Sequence, residues 1–165
     1  MIKKVYVPKY IYPLSSVLFN YIIFAISLIV LVVVSIVLKL YPTVYLLQAI
    51  IPLILLLITA FGVGMILSTM AVFFRDLEYL WSVGLMIIMY ASAIFYKPDR
   101  LLKSGFGWIL KCNPLYLLIH NFRQAVFGMP MNMKFLAASV VFAIVSVIVG
   151  LVFFYKKQDE FILHI

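Results

Sequence analysis

SAIFYKPDRLLKSGFGWILKCNPLYLLIHNFRQAVFG, residues 92–128, is the longest part of this 165-residue chain that cannot cross a bilayer. It carries Lys97, Asp99, Arg100, Lys103, Lys111, His120 and Arg123 in close succession. Its two apolar pieces, residues 101–110 and 112–122, are too short to span, since a crossing helix needs roughly 20 residues. Apolar pieces of about 10–14 residues are re-entrant or interfacial instead. The stretch therefore reads as an excursion that leaves the bilayer, dips back and returns. Uncharged apolar runs of spanning length lie on either side, and they decide the fold class.

The chain is 67% hydrophobic with a mean hydropathy of +1.23. A soluble domain of this length cannot hide so much apolar surface, so the solvent for the fold is lipid. Lipid offers the backbone no hydrogen bonds, and each span must satisfy itself as a helix. The uncharged runs place four spans at about 17–38, 44–70, 79–96 and 133–155. The expected fold is an all-α integral membrane protein, four transmembrane helices with a re-entrant or interfacial helical pair between the third and fourth. Residues 1–16 lead in, with Lys3, Lys4 and Lys9 among tyrosines and the helix breakers Pro8 and Pro13, the composition of an interfacial belt. Residues 156–165 form a short polar tail. The first apolar run starts late and is too long for the h-region of a signal peptide.

The net charge is +8. The basic residues stand at the ends of apolar runs, where Lys and Arg snorkel toward headgroups, so the charge reads as contact with membrane lipids and not with nucleic acid. With the ends of the chain on one side, that side holds Lys3, Lys4, Lys9, Arg75, Lys156 and Lys157. The other holds Lys39, Lys97, Arg100, Lys103, Lys111, Arg123 and Lys134. A split of six against seven assigns no orientation. The single cysteine, Cys112, excludes an intramolecular disulfide.

Along the chain, Asn20 and Ser27 share one helix face, turned toward protein or each bonded to its own backbone. The short Tyr41-Pro42 link implies an antiparallel second span. Pro52 should kink that span. Ala60, Gly64 and Ser68 fall at every fourth residue, a stripe that lets a helix approach closely, with Gly62 near the same face. FFRDLEYL, residues 73–80, must sit at a membrane surface. Asp76 is placed to cap the next helix and Arg75 and Glu78 are spaced to pair. The segment reads as a solvated turn or as a contact for a peripheral partner. Tyr79 and Tyr96 bracket the short third span as belt residues, and Trp108 anchors the excursion at the interface. Asn113-Pro114 is a helix start, Asn as cap and Pro in the first turn, and Gly128 followed by Pro130 is a stop. Between them the pattern is two-faced: Leu115, Leu118, Ile119, Phe122 and Val126 on one side, Tyr116, His120, Arg123 and Phe127 on the other.

No glycine-rich phosphate loop is present, so the chain is not expected to hydrolyse nucleotide by itself. No His or Cys pair has metal spacing, and no Ser–His–acid group can be assembled. No acidic residue falls in spans one, two or four, which argues against a proton- or sodium-coupled carrier. A basic, aromatic-rich excursion remains. Aromatic faces suit sugar rings and basic side chains suit phosphate, and both also suit an ordinary interface.

KKVYVPKYIYPLSSVL, VFFRDLEYLW, SAIFY, NPLYLLIHNFRQAVFG and FYKKQDEF follow one another at the spacing of a known family. From Lys3 to Phe161 the chain resembles the membrane permease subunit of type-2 ABC exporters for polysaccharide, which serve O-antigen, capsule and teichoic acid. The resemblance implies a non-enzymatic transport subunit that works as a homodimer with a separate ABC ATPase. ATP would be bound by that partner, no cofactor by this chain, and the cargo would be lipid-linked glycan leaving a bacterial cytoplasm through the inner membrane. It places both termini in the cytoplasm and residues 97–130 outside as a gate segment. Tyr96, Tyr116, His120 and Arg123 become substrate path or gate residues, and Lys3, Lys4, Arg75, Asp76 and Glu78 contacts for the ATPase. Only the last four of the family's six spans are matched, so the expectation is an N-terminally truncated frame. The rival is a truncated or structural membrane protein that only packs against other subunits. A membrane enzyme comes third, with no catalytic constellation to support it. The family usually has Pro after the serine that ends the third span. Here Ala93 follows Ser92, and Ala continues a helix that Pro would break, so the third span is expected to run further outward.

Overall fold

The computed structural model describes residues 10–39, 44–74, 76–96, 98 and 107–157. Lys3, Lys4, Arg75 and the link at 40–43 lie outside them, as does any Arg75–Glu78 pair. All regular structure among the described residues is helical: α1 (Ile11–Val37), α2 (Tyr45–Gln48), α3 (Ile50–Phe73), α4 (Leu77–Ala91), α5 (Gly107–Cys112), α6 (Pro114–Val126) and α7 (Met133–Lys157). Among the described residues, three stretches are long and apolar enough to cross a membrane: Ile11–Val37, Tyr45–Phe73 and Met133–Lys157. The stretch expected as the third span is the 15-residue apolar helix α4. At 1.5 Å per residue it is about 22 Å long, less than the roughly 30 Å hydrocarbon core.

The expected kink in the second span is a break at Ala49 between α2 and α3. Pro52 has no N–H for the carbonyl four residues back, that of Gln48, and its ring crowds that carbonyl. On α1, Asn20 donates to the Ser16 carbonyl at 2.9 Å and Ser27 to the Ile23 carbonyl at 3.0 Å. Both polar side chains are thus bonded to their own helix.

The core runs along α3 and α7, which lie parallel. Leu55 meets Ala143 in one cluster and Met65 meets Phe154 further along, and the Lys157 ammonium sits 5.6 Å over the Phe73 ring at the far end. Buried positions on α7 are Ser139, Ala143, Ser146, Gly150 and Phe154, a small-residue stripe at helical spacing. Facing it on α3 are Leu55, Thr59, Gly62, Met65 and Thr69. The hydroxyls of Thr59, Thr69, Ser139 and Ser146 all bond carbonyls of their own helices, so close backbone approach holds the pair together. A Cβ on Gly62 would stand 2.5 Å from the Ser146 carbonyl carbon, and one on Gly150 would stand 2.5 Å from the Gly62 oxygen.

The stripe of Ala60, Gly64 and Ser68 is not the face that meets α7; at Gly64 it is α1 that approaches closely, a Cβ there standing 3.1 Å from Val17. Ala60 is exposed, Gly64 faces Val17 of α1 and Ser68 is half-buried with its hydroxyl on the Met65 carbonyl. Gly62 is not on their face. Two residues turn a helix by about 200°, which puts Gly62 nearly opposite Ala60 and Gly64. α1 packs on the Gly64 side, running antiparallel to α3, and the Tyr21 hydroxyl donates to the Leu53 carbonyl at 2.9 Å.

Candidate functional site

The excursion folds back against the end of the bundle where α7 begins. Asn113 caps α6, its Oδ1 accepting the Leu115 N–H at 3.0 Å, and Pro114 follows in the first turn. The helix ends at Val126, and Gly128 takes φ +72°, the left-handed conformation that a helix stop requires. The Asn-Pro start and the glycine stop stand where local chemistry places them.

The faces of α6 are rotated from the expected ones. Tyr116, Leu117, Leu118, Asn121 and Ala125 are buried, with Tyr116 only 2% exposed. Tyr116 shares a cluster with Ala93, Leu110 and Leu117, and Tyr96 and Phe135 pack against it. Helical spacing groups Tyr116 with His120, Arg123 and Phe127 on a face expected to look into a pathway. The ring instead takes an aromatic seat, 6.2 Å from Phe135 and 5.8 Å from His120, while His120 meets Phe135 edge-on at 5.0 Å.

Arg123 reaches the turn that follows α4. Its Nη1 donates to the Ala93 carbonyl at 3.2 Å and its Nη2 to the Ile94 carbonyl at 3.0 Å. Asn113 Nδ2 donates to Ser92 Oγ at 2.9 Å, and Ser92 in turn donates to the Ile88 carbonyl at 2.6 Å. These bonds overturn the expectation that Ala93 extends the third helix. α4 stops at Ala91, and Ala93 is fully buried at φ +50°. Helix propensity, a few tenths of a kcal/mol per residue, loses to two charge-assisted bonds and a buried turn. Proline could not take this φ.

All four residues expected at the gate thus meet around one turn. Tyr96 and Tyr116 share the cluster, His120 rings it, and Arg123 holds the backbone of its member Ala93. Sequence reading missed Ser92, Phe135, Asn121 and Asn132. Asn121 is fully buried and its Oδ1 accepts the Asn132 N–H at 3.0 Å. Only the buried polar side chains on an apolar helix face could have signalled it. Three buried polar atoms on α6 have no hydrogen-bond partner: His120 Nδ1, Asn121 Nδ2 and Gln124 Oε1.

Burial, and then the nearby charge of Arg123, lower the His120 pKa below its usual 6.5. The folded state therefore favours neutral imidazole, and the unfolded chain binds more protons just below pH 6.5. The contribution of His120 to stability is complete above that value and is lost as pH falls through the folded pKa. Denaturation midpoints in detergent between pH about 7.5 and 5 should fall on acidification, and less steeply for His120→Gln. A variant as acid-sensitive as its parent would place the titration elsewhere.

An apolar cleft of about 690 Å³ opens beside this site, between α3, α4 and the start of α6. Leu56, Ala60 and Val63 form one wall and Trp81, Leu85 and Ile88 the other, with Trp108 and Cys112 at the α5 end. At the opposite end of the molecule, Asp76 takes the cap position of α4 without a side-chain cap bond, and Glu78 and Tyr79 are exposed.

Span-length apolar helices, with a short helix pair tied by side-chain bonds to one end of the bundle, define an integral all-α membrane protein. Residues 3–127 match the family described as ABC-2 type transporter, and the chain belongs to that family. It is similar to two proteins of Klebsiella pneumoniae, both named O-antigen export system permease protein RfbA, at 33% and 31% identity over 163 residues. Those alignments cover 98% of this chain and 62% of each relative, so the chain spans under two thirds of the curated relatives' length. No solved structure matches it.

Proposed function

We propose that this chain forms the last four spans of the permease subunit of an ABC exporter that carries lipid-linked polysaccharide across a bacterial inner membrane. α4 serves as the third of those spans. The chain works with a second copy of itself and with a separate ATPase subunit that binds and hydrolyses ATP. Both termini face the cytoplasm and the excursion faces outward as a gate. Asp76 and Glu78, with Lys3, Lys4 and Arg75, meet the ATPase. Tyr96, Tyr116, His120 and Arg123 form the gate, and they hold it shut more than they line a path. One observation carries the reading: Tyr116, His120 and Arg123 of α6 gather with Tyr96 and the Ala93 turn at one bundle end of a chain that matches O-antigen permeases along 98% of its length.

A chimera tests it. The 163 matched residues replace their counterparts in the Klebsiella permease, which supplies the rest of that protein, in a bacterium lacking its own permease. Surface polysaccharide should return. Arg123→Ala and Tyr116→Leu should cut it severalfold at equal membrane levels of the protein. Normal polysaccharide in both variants would remove the gate role, and a well-inserted chimera that exports nothing would favour the non-transporting rival.

A further inference from the structure

α4 is attached to the rest of the molecule in an unusual way. None of its residues is buried, although it is an apolar helix within a bundle. One face of it, Trp81, Leu85 and Ile88, looks across the apolar cleft at α3 instead of packing on it. The buried attachment comes only after the helix has ended, at Ser92 and Ala93, both fully buried. There α6 supplies side-chain bonds: Asn113 to Ser92 Oγ, and Arg123 to the carbonyls of Ala93 and Ile94. The Ala93 and Ile94 carbonyls lie two and three residues beyond the end of α4, adjacent acceptors that a planar guanidinium fork can hold together. The left-handed φ of Ala93, +50°, costs about 1 kcal/mol or more in a residue with a Cβ, and something must hold it there.

We propose that Arg123 is a positioning residue. Together with Asn113 it closes the end of α4, fixes the Ala93 turn, and so sets how far α4 stands from α3 across the cleft. Without this clamp α4 has no buried side chain to define its angle, and it swings about residues 92–94. The proposal stands on the geometry of this turn and does not require the export reading.

The experiment uses the full 165-residue chain in lipid nanodiscs, with Cys112 replaced by Ser and paired spin labels. One pair joins Met86 on α4 to Ile144 on α7, and a control pair joins Ile58 on α3 to Ile148 on α7; all four side chains are exposed. In the parent, with doubly labelled chains diluted into unlabelled ones so that each disc holds at most one labelled copy, both pairs should give a single narrow distance. In Arg123→Ala the α4 pair should lose its single distance while the control pair keeps it. Arg123→Lys, which reaches one carbonyl but not two as a fork, should fall between. Ser92→Ala, which removes the Asn113 link and the Ser92 bond to the Ile88 carbonyl but leaves the Arg123 fork, should broaden the α4 pair less than Arg123→Ala does. Two unchanged pairs in Arg123→Ala would overturn the proposal. So would broadening of both pairs, which would make Arg123 a support of the whole fold and not of α4.

Discussion

Gly150→Val should separate α3 from α7 and leave little folded protein. The ideal Cβ at this position lies 2.5 Å from the Gly62 oxygen and 3.1 Å from the Met65 Cβ. The first neighbour is backbone, so no rotamer change relieves the clash and the helices must part. Overpacking that side chains can absorb costs about 1–3 kcal/mol, and a backbone displacement along the main core costs more. The parted helices would also lose the buried contact between Met65 and Phe154, about one turn beyond the crossing. Gly62→Ala should act in the same direction, since its Cβ would meet the Ser146 carbonyl carbon and the Val147 nitrogen at 2.5 and 2.6 Å. Gly84→Ala is the control. Its Cβ would meet only a Trp81 ring carbon at 3.9 Å, and alanine in an exposed helix gains up to about 1 kcal/mol over glycine. Unfolding midpoints in an SDS titration should fall sharply for the first two and hold or rise for the third. A Gly150→Val midpoint equal to the parent's would mean that α3 and α7 do not touch at this crossing.

Asn121→Asp is the second large effect expected, and it comes from one atom. The substitution preserves volume and keeps the oxygen that accepts the Asn132 N–H. It replaces the unpartnered Nδ2 by a second oxygen and adds a negative charge to a side chain with no solvent exposure. An uncompensated buried charge costs about 3–5 kcal/mol, or the group stays protonated at a raised pKa. The loss should therefore be large at neutral pH and shrink as the medium is acidified, the reverse of the His120 effect. Asn121→Leu should cost about 1–3 kcal/mol, the penalty for leaving the Asn132 amide without its acceptor, at every pH. The readout is again the unfolding midpoint, taken across pH. An aspartate variant as stable as the parent at neutral pH would mean that water reaches this side chain.

What the sequence made legible is what short-range chemistry determines. Asn113, Pro114 and Gly128 bound α6 because a cap, a fixed φ and a left-handed stop act within a few residues. Pro52 broke its helix for the same reason. The apolar runs declared a membrane fold, although α4 is shorter than the run that suggested it. Faces were harder. Gly62 was grouped with Gly64 when helical rotation puts them on opposite sides, and only the position of α7, some 80 residues later, makes Gly62 the contact. Ala93 was expected to continue a helix on local propensity, while its conformation is set by Arg123, thirty residues on. Helical spacing sets Tyr116 beside His120 and Arg123, but its ring has a seat against Phe135 that no spacing within α6 reveals.

The meeting of Gly62 and Gly150 has a mechanical consequence. Two helices whose backbones touch at one point cannot slide along each other. A shift of one residue, about 1.5 Å, would drive the neighbouring side chains into the opposite backbone. They can only rotate about that point, as two blades about a rivet. A push delivered at the Phe73–Lys157 end must therefore arrive at the end beside α6 as a tilt of both helices, reversed in direction across the fulcrum.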